Sequence, residues 1–158
     1  MLTVLLLTFL WRFSAASSSD IVRSGCDVAV PKCGPLQSNI DCFGALLPYQ
    51  RTAVGTFTGD IVHQKDVQTS LRQWSALRTV PQCWEVIKPL LCSVYLPRCK
   101  SDSTSNMSLV QKPSREQCDL VQTRCRIVEM YGGWPEFLKC DQKHFSKGCL
   151  VSMKHTIL

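Results

Sequence analysis

Ten cysteines lie between Cys26 and Cys149, and the 158-residue chain has none elsewhere. Free thiols at this density are a liability outside the reducing cytosol, so the framework reads as five disulfides in an oxidising compartment. Zinc is the competing use. Ribbon-type zinc sites need cysteine pairs separated by two residues. The nearest pairs here, Cys26/Cys33, Cys92/Cys99 and Cys118/Cys125, are each seven apart. The pattern predicts no metal site.

The N-terminus agrees with that compartment. Leu2 to Trp11 is an apolar run, too short to span a bilayer and of the length of a signal-peptide core. Ser14 and Ala16 supply the small residues of a cleavage site, which assigns residues 1–16 to a signal peptide. No Lys or Arg precedes the run. Residues 17–25 are a polar lead-in, 26–149 the folded domain and 150–158 a short tail. No second long apolar run follows, and the tail has neither a stop-transfer segment nor a lipidation motif. About 140 residues after cleavage suffice for one domain.

The formal charge of +6 is scattered. No basic run reads as a nucleic-acid footprint. Residues 26–62 are rich in Gly, Pro, Thr and Asn, predicting irregular structure with short strands such as 53–58. Helical spacing begins near Lys65, where Val67, Leu71, Trp74 and Leu77 form one stripe. A second helix starts at Pro81, a favoured first-turn residue, is kinked by Pro89 and stops at Pro97. Residues 100–113 read as a polar surface loop carrying the sequon Asn106-Met107-Ser108, a candidate glycosylation site. Ser114 opens a third helix with Gln117 completing a capping box. One face of this helix carries Cys118, Val121, Cys125 and Val128, and Gly132-Gly133 ends it.

Catalysis finds no support. His63, His144 and His155 have no acid or cysteine neighbour suggesting an activated nucleophile, and lone loop histidines read as surface residues. There is no G-x-S-x-G elbow or H-E-x-x-H pair. The chain reads as a rigid binding module, not an enzyme, with no cofactor implied.

The segment CWEVIKPLLCSVYLPRC (Cys83 to Cys99), then a helix with two cysteines, then GGWPEFLKC (Gly132 to Cys140), resembles the Frizzled-type cysteine-rich domain. LPYQ at Leu47 to Gln50, WSALRTVPQCW at Trp74 to Trp84 and the seven-residue Cys118/Cys125 interval are similar to the Smoothened family of Hedgehog-pathway receptors. Frizzled domains proper set that pair about four apart. The likeness covers nearly all of Cys26 to Cys149. It implies a mainly α, disulfide-rich fold with a short β-strand pair. Ten cysteines admit about 900 pairings. The resemblance implies Cys26–Cys149, Cys33–Cys99, Cys42–Cys92, Cys83–Cys125 and Cys118–Cys140.

The same resemblance implies an extracellular module that holds cholesterol or an oxysterol in a shallow apolar groove. Trp74 and Leu77 match the groove helix, Tyr95 a wall, and Trp134, Pro135 and Phe137 a lid. Asp60 stands where that family places the acceptor for the sterol hydroxyl. Taken alone, Trp74 and Leu77 read as core, Asp60 as a turn residue and Trp134-Pro135 as a packed loop. Arg72 and Gln73 depart from the pattern, standing where apolar residues are expected and reducing the apolar area a sterol can cover. The implied partners are the sterol and the remaining seven-helix portion of such a receptor, whether this sequence is a fragment or a secreted form. A Frizzled-like module binding the acyl chain of a Wnt protein is the alternative.

Overall fold

A computed structural model describes residues 25–61, 63–101 and 106–149. The signal-peptide, lead-in and tail assignments, and His155, lie outside the described residues apart from Gly25.

The centre of the molecule is one helix. Pro81–Tyr95 (α2) buries Cys83, Val86, Ile87, Leu90, Leu91, Cys92, Val94 and Tyr95. Burial on nearly every side is the mark of a core helix rather than a surface one. Pro81 starts it as expected, and the helix continues through Pro89 as one element.

Gln64–Gln73 (α1) precedes it and buries Val67 and Leu71. The apolar stripe continues past its end, but the helix does not. Trp74–Thr79 is a 3-10 helix. At three residues per turn, positions 74, 77 and 80 fall on one line. Trp74, Leu77 and Val80 all pack against the core, while Ala76, Arg78 and Thr79 between them are exposed.

Arg115–Arg124 (α3) lies against α2. Ser114 caps it, its hydroxyl accepting from the Gln117 backbone N–H at 3.2 Å. The capping box is only half made. The Gln117 side chain instead donates to the Val86 carbonyl at 2.8 Å, tying α3 to α2. The expected run to Gly132 is interrupted at Cys125, and a separate turn, Ile127–Met130 (α4), follows. Cys118, Val121 and Cys125 are buried, and Val128 is only partly so. Cys125, the residue at which α3 ends, is held to α2 by its disulfide to Cys83.

The strands depart from expectation. Two parts of the segment expected as a loop are strands: Cys99–Ser101 (β4) pairs antiparallel with Ser108–Gln111 (β5). Asp27–Val30 (β1) pairs along the other edge of β5, giving the order β1-β5-β4. Ser108 and Val110 turn inward and are buried. That alternation is the period-two signature of a half-buried strand, hidden in the sequence by its polar neighbours. A second pair joins Gly34–Pro35 (β2) to Arg51–Thr52 (β3). Residues 53–58, expected as a strand, form turns.

Five disulfides join Cys26–Cys149, Cys33–Cys99, Cys42–Cys92, Cys83–Cys125 and Cys118–Cys140, the pairing that the resemblance implies. No cysteine is free. Two bridges anchor α2, and the 26–149 bridge ties β1 to the end of the domain.

Candidate aromatic groove

Three side chains from three separate elements meet. The Trp74 indole N–H donates to the Tyr95 hydroxyl oxygen at 3.3 Å. The Phe137 ring stands edge-on to Tyr95, with centroids 5.6 Å apart and planes at 79°, a favoured geometry for aromatic pairs. Tyr95 is buried, with 4% of its surface exposed. Trp74 and Phe137 are half-buried. Leu77 is half-buried on the same 3-10 turn as Trp74.

Asp60 is exposed, and its negative charge acts on Tyr95. Burial raises the Tyr95 phenol above its ordinary range, the Trp74 hydrogen bond opposes that, and Asp60 adds to it. The phenol therefore stays protonated at physiological pH and keeps a donor.

The loop carrying Asp60 is set by its own turns. The Gly59 N–H donates to the Gly55 carbonyl at 3.0 Å, and the Asp60 N–H to the Thr58 carbonyl at 2.9 Å. Gly55 has φ +84°, and a Cβ there would stand 2.5 Å from the Ile61 carbonyl oxygen. Only glycine fits both demands. Phe57 plugs the loop into the core at 6% exposure.

His144 corrects the reading of the loop histidines as surface residues. It is half-buried, with ring centroids 5.2 Å from Phe57 and 4.6 Å from Phe145. Its Nε2 lies 2.9 Å from the Phe137 carbonyl oxygen, so this nitrogen carries the proton and donates. Burial lowers its pKa, and the bond to Phe137 partly opposes that. His144 thus links the Phe57 loop to the backbone of Phe137. No spacing in the sequence marks it, because its partners are a distant ring and a carbonyl. His63, by contrast, is exposed at the start of α1.

Trp134 faces a different space. It lines a cavity of about 520 Å³ with Arg115, Asp119, Gln122 and Lys139, and its indole N–H is buried without a hydrogen-bond partner. Pro135 caps the 3-10 turn Glu136–Leu138 that carries Phe137. Arg72 and Gln73 are both exposed at the end of α1, so neither is buried under the aromatic cluster. Asn106 is exposed just before β5. The hydroxyl of its sequon partner Ser108 is buried and accepts from the Cys33 N–H at 3.3 Å. Among the described residues, no group of three His, Cys, Asp or Glu side chains could hold a metal ion, and no helix is long and apolar enough to cross a membrane.

Residues 41–147 match the model of the Fz domain. The chain is 43% identical to human Smoothened over 138 residues, which is 87% of this chain and 16% of that protein. It is 44% identical to rat Smoothened over 117 residues, 74% of this chain and 14% of that protein. The chain thus spans about a sixth of the length of these relatives. A crystal structure of the Smoothened cysteine-rich domain superposes with a TM-score of 0.69 at 40% identity, covering 78% of this chain and 99% of that one. The Xenopus Smoothened cysteine-rich domain in complex with cyclopamine superposes at 0.66 and 39% identity, covering 77% and 99%. The five disulfides, and the four α-helices and two small sheets among the described residues, accord with those matches, and the chain belongs to the Fz domain family, with the cysteine-rich domain of Smoothened as its likeness.

Proposed function

We propose that this domain is the extracellular ligand-binding module of a Smoothened-like receptor and takes a sterol, cholesterol or an oxysterol, across Trp74, Leu77 and Phe137. The observation that carries the reading is the contact chain Trp74–Tyr95–Phe137, in which two partly buried aromatic side chains meet one buried phenol. Flat rings of this kind suit a flat polycyclic ligand, and a few polar groups then orient it. Asp60 supplies a charged acceptor for a hydroxyl at one end, the stronger type of hydrogen bond. The complex of the Xenopus domain with cyclopamine, a polycyclic small molecule, supports an apolar ligand of this shape for the fold. In a full receptor, occupancy acts by favouring the conformation that binds the sterol more tightly.

Titration of the oxidised chain with a fluorescent oxysterol tests the proposal. Trp74→Ala and Asp60→Ala are each expected to weaken binding about tenfold, the loss typical of one charge-assisted hydrogen bond or one large ring contact. Binding that is absent, or unchanged in both variants, sinks it. Selective capture of an acylated Wnt protein would favour the Frizzled-like alternative. Glycosylation at Asn106 belongs to the same extracellular reading. Secretion of Asn106→Gln from a eukaryotic host should give a product lighter by one glycan.

A further inference from the structure

A cleft of about 660 Å³ opens between the β2–β3 pair and the start of α1, and none of the aromatic groove residues lines it. Its charged lining is cationic. Lys32 and Lys65 are both exposed at its edge, His63 stands beside them, and no carboxylate lines it. Neither lysine is in an ion pair among the described residues. The ten-residue helix α1 points its N-terminus here, and its N-cap residue His63 makes no side-chain capping bond. A helix start of this kind presents backbone N–H groups and partial positive charge to an anion. Asp66 in the first turn does not line the cleft.

A second observation points the same way. Thr52 lines the cleft, is 1% exposed, and its hydroxyl has no hydrogen-bond partner. A buried hydroxyl left unpaired costs stability, and an oxyanion in the cleft would accept from it. The volume exceeds what a single sulfate or phosphate fills, yet suits a sugar ring bearing one. Val30 and Val54 offer an apolar surface to the ring face, and the Gln37 amide offers polar atoms to its hydroxyls. A lipid phosphate would call for apolar side chains at the rim to enter the bilayer. None of the large exposed apolar residues, Leu46, Met107, Leu120, Met130 and Tyr131, lines this cleft.

We propose that this cleft binds a sulfated sugar unit of an acidic glycan, the sulfate held by Lys32, Lys65, the Thr52 hydroxyl and the first turn of α1. The site is separate from the groove and stands whether or not that groove takes a sterol.

Calorimetric titration of the full oxidised chain with a heparin disaccharide, its desulfated counterpart, inorganic phosphate and phosphoinositide-containing vesicles tests it. The sulfated disaccharide should bind and the desulfated one should not. Lys32→Gln/Lys65→Gln, at two exposed positions, should weaken binding about tenfold or more. Thr52→Val should weaken it while leaving the melting temperature equal or higher, because it removes an unpaired buried hydroxyl. No binding of the sulfated disaccharide, equal binding of the desulfated one, or binding of the vesicles or phosphate alone overturns the proposal. So does binding unchanged in the double variant.

Discussion

His144 shows how much a single side chain can govern in a small domain. Its ring sits between Phe57 and Phe145, and its Nε2 proton is committed to the Phe137 carbonyl. The folded-state pKa is lowered, mainly by burial, while the unfolded chain protonates at about 6.5. Between those two values the unfolded chain holds more protons, so stability rises with pH there. The contribution is complete above about 6.5 and is lost as pH falls toward the folded value. Urea midpoints measured from about pH 5 to 7.5 should decline on acidification, and His144→Gln should flatten that decline. An unaltered slope in the variant would assign the effect to other groups. Gly55 makes a comparable demand on the backbone. Gly55→Ala is expected to cost about 1–3 kcal/mol, combining the positive φ with the approach to Ile61, and it should loosen the loop that presents Asp60. A melting temperature equal to that of the parent would contradict this.

At the scale of elements, propensity and tertiary contact part company in two places. The stripe Val67, Leu71, Trp74 and Leu77 is legible as one helix, but the structure breaks it after Gln73 and continues as a 3-10 turn. Both helices have residues three apart on one side, so a short apolar stripe cannot separate them. What separates them is the contact Trp74 makes with Tyr95 on α2, 21 residues along the chain. The β4–β5 pair was hidden for a related reason. Its polar letters suggest a loop, yet Ser108 is buried because its hydroxyl meets the Cys33 N–H. Ser114, in contrast, does locally what its sequence says. Ser114→Ala should cost about 1 kcal/mol through loss of the N-cap, measurable by denaturant titration. Gln117→Ala should add a loss of its own, because the side chain bridges to the Val86 carbonyl of α2. Additivity of the two substitutions would place the cap and the bridge on independent footing; a Gln117→Ala variant with no effect would count against the bridge.

Over the whole molecule the bridges dominate. Five disulfides at about 2–4 kcal/mol each are comparable with the entire stability of an average domain, about 5–15 kcal/mol. Full reduction should therefore abolish cooperative melting and near-ultraviolet circular dichroism together. A reduced chain that melts sharply would mean that the α2-centred core suffices alone. The bridges also fix the relative placement of the aromatic cluster. Cys42–Cys92 and Cys83–Cys125 pin the central helix that bears Tyr95, and Cys118–Cys140 holds the segment just after Phe137.

From the letters alone came the cysteine framework, the start of α2 at Pro81, the cap at Ser114 and the family to which the chain belongs. Each rests on local chemistry or on an ordered set of spacings, and neither needs the chain to be folded to be read. Tertiary structure decided the rest. It brought Trp74, Tyr95 and Phe137 into contact and turned Trp134 toward a separate cavity. It set a half-buried His144 against Phe57 and left the Thr52 hydroxyl unpaired in a residue lining the same cleft as Lys32 and Lys65. The reason is physical: these features depend on which side chains meet across long stretches of chain, and packing around α2, not any period in the sequence, sets those meetings.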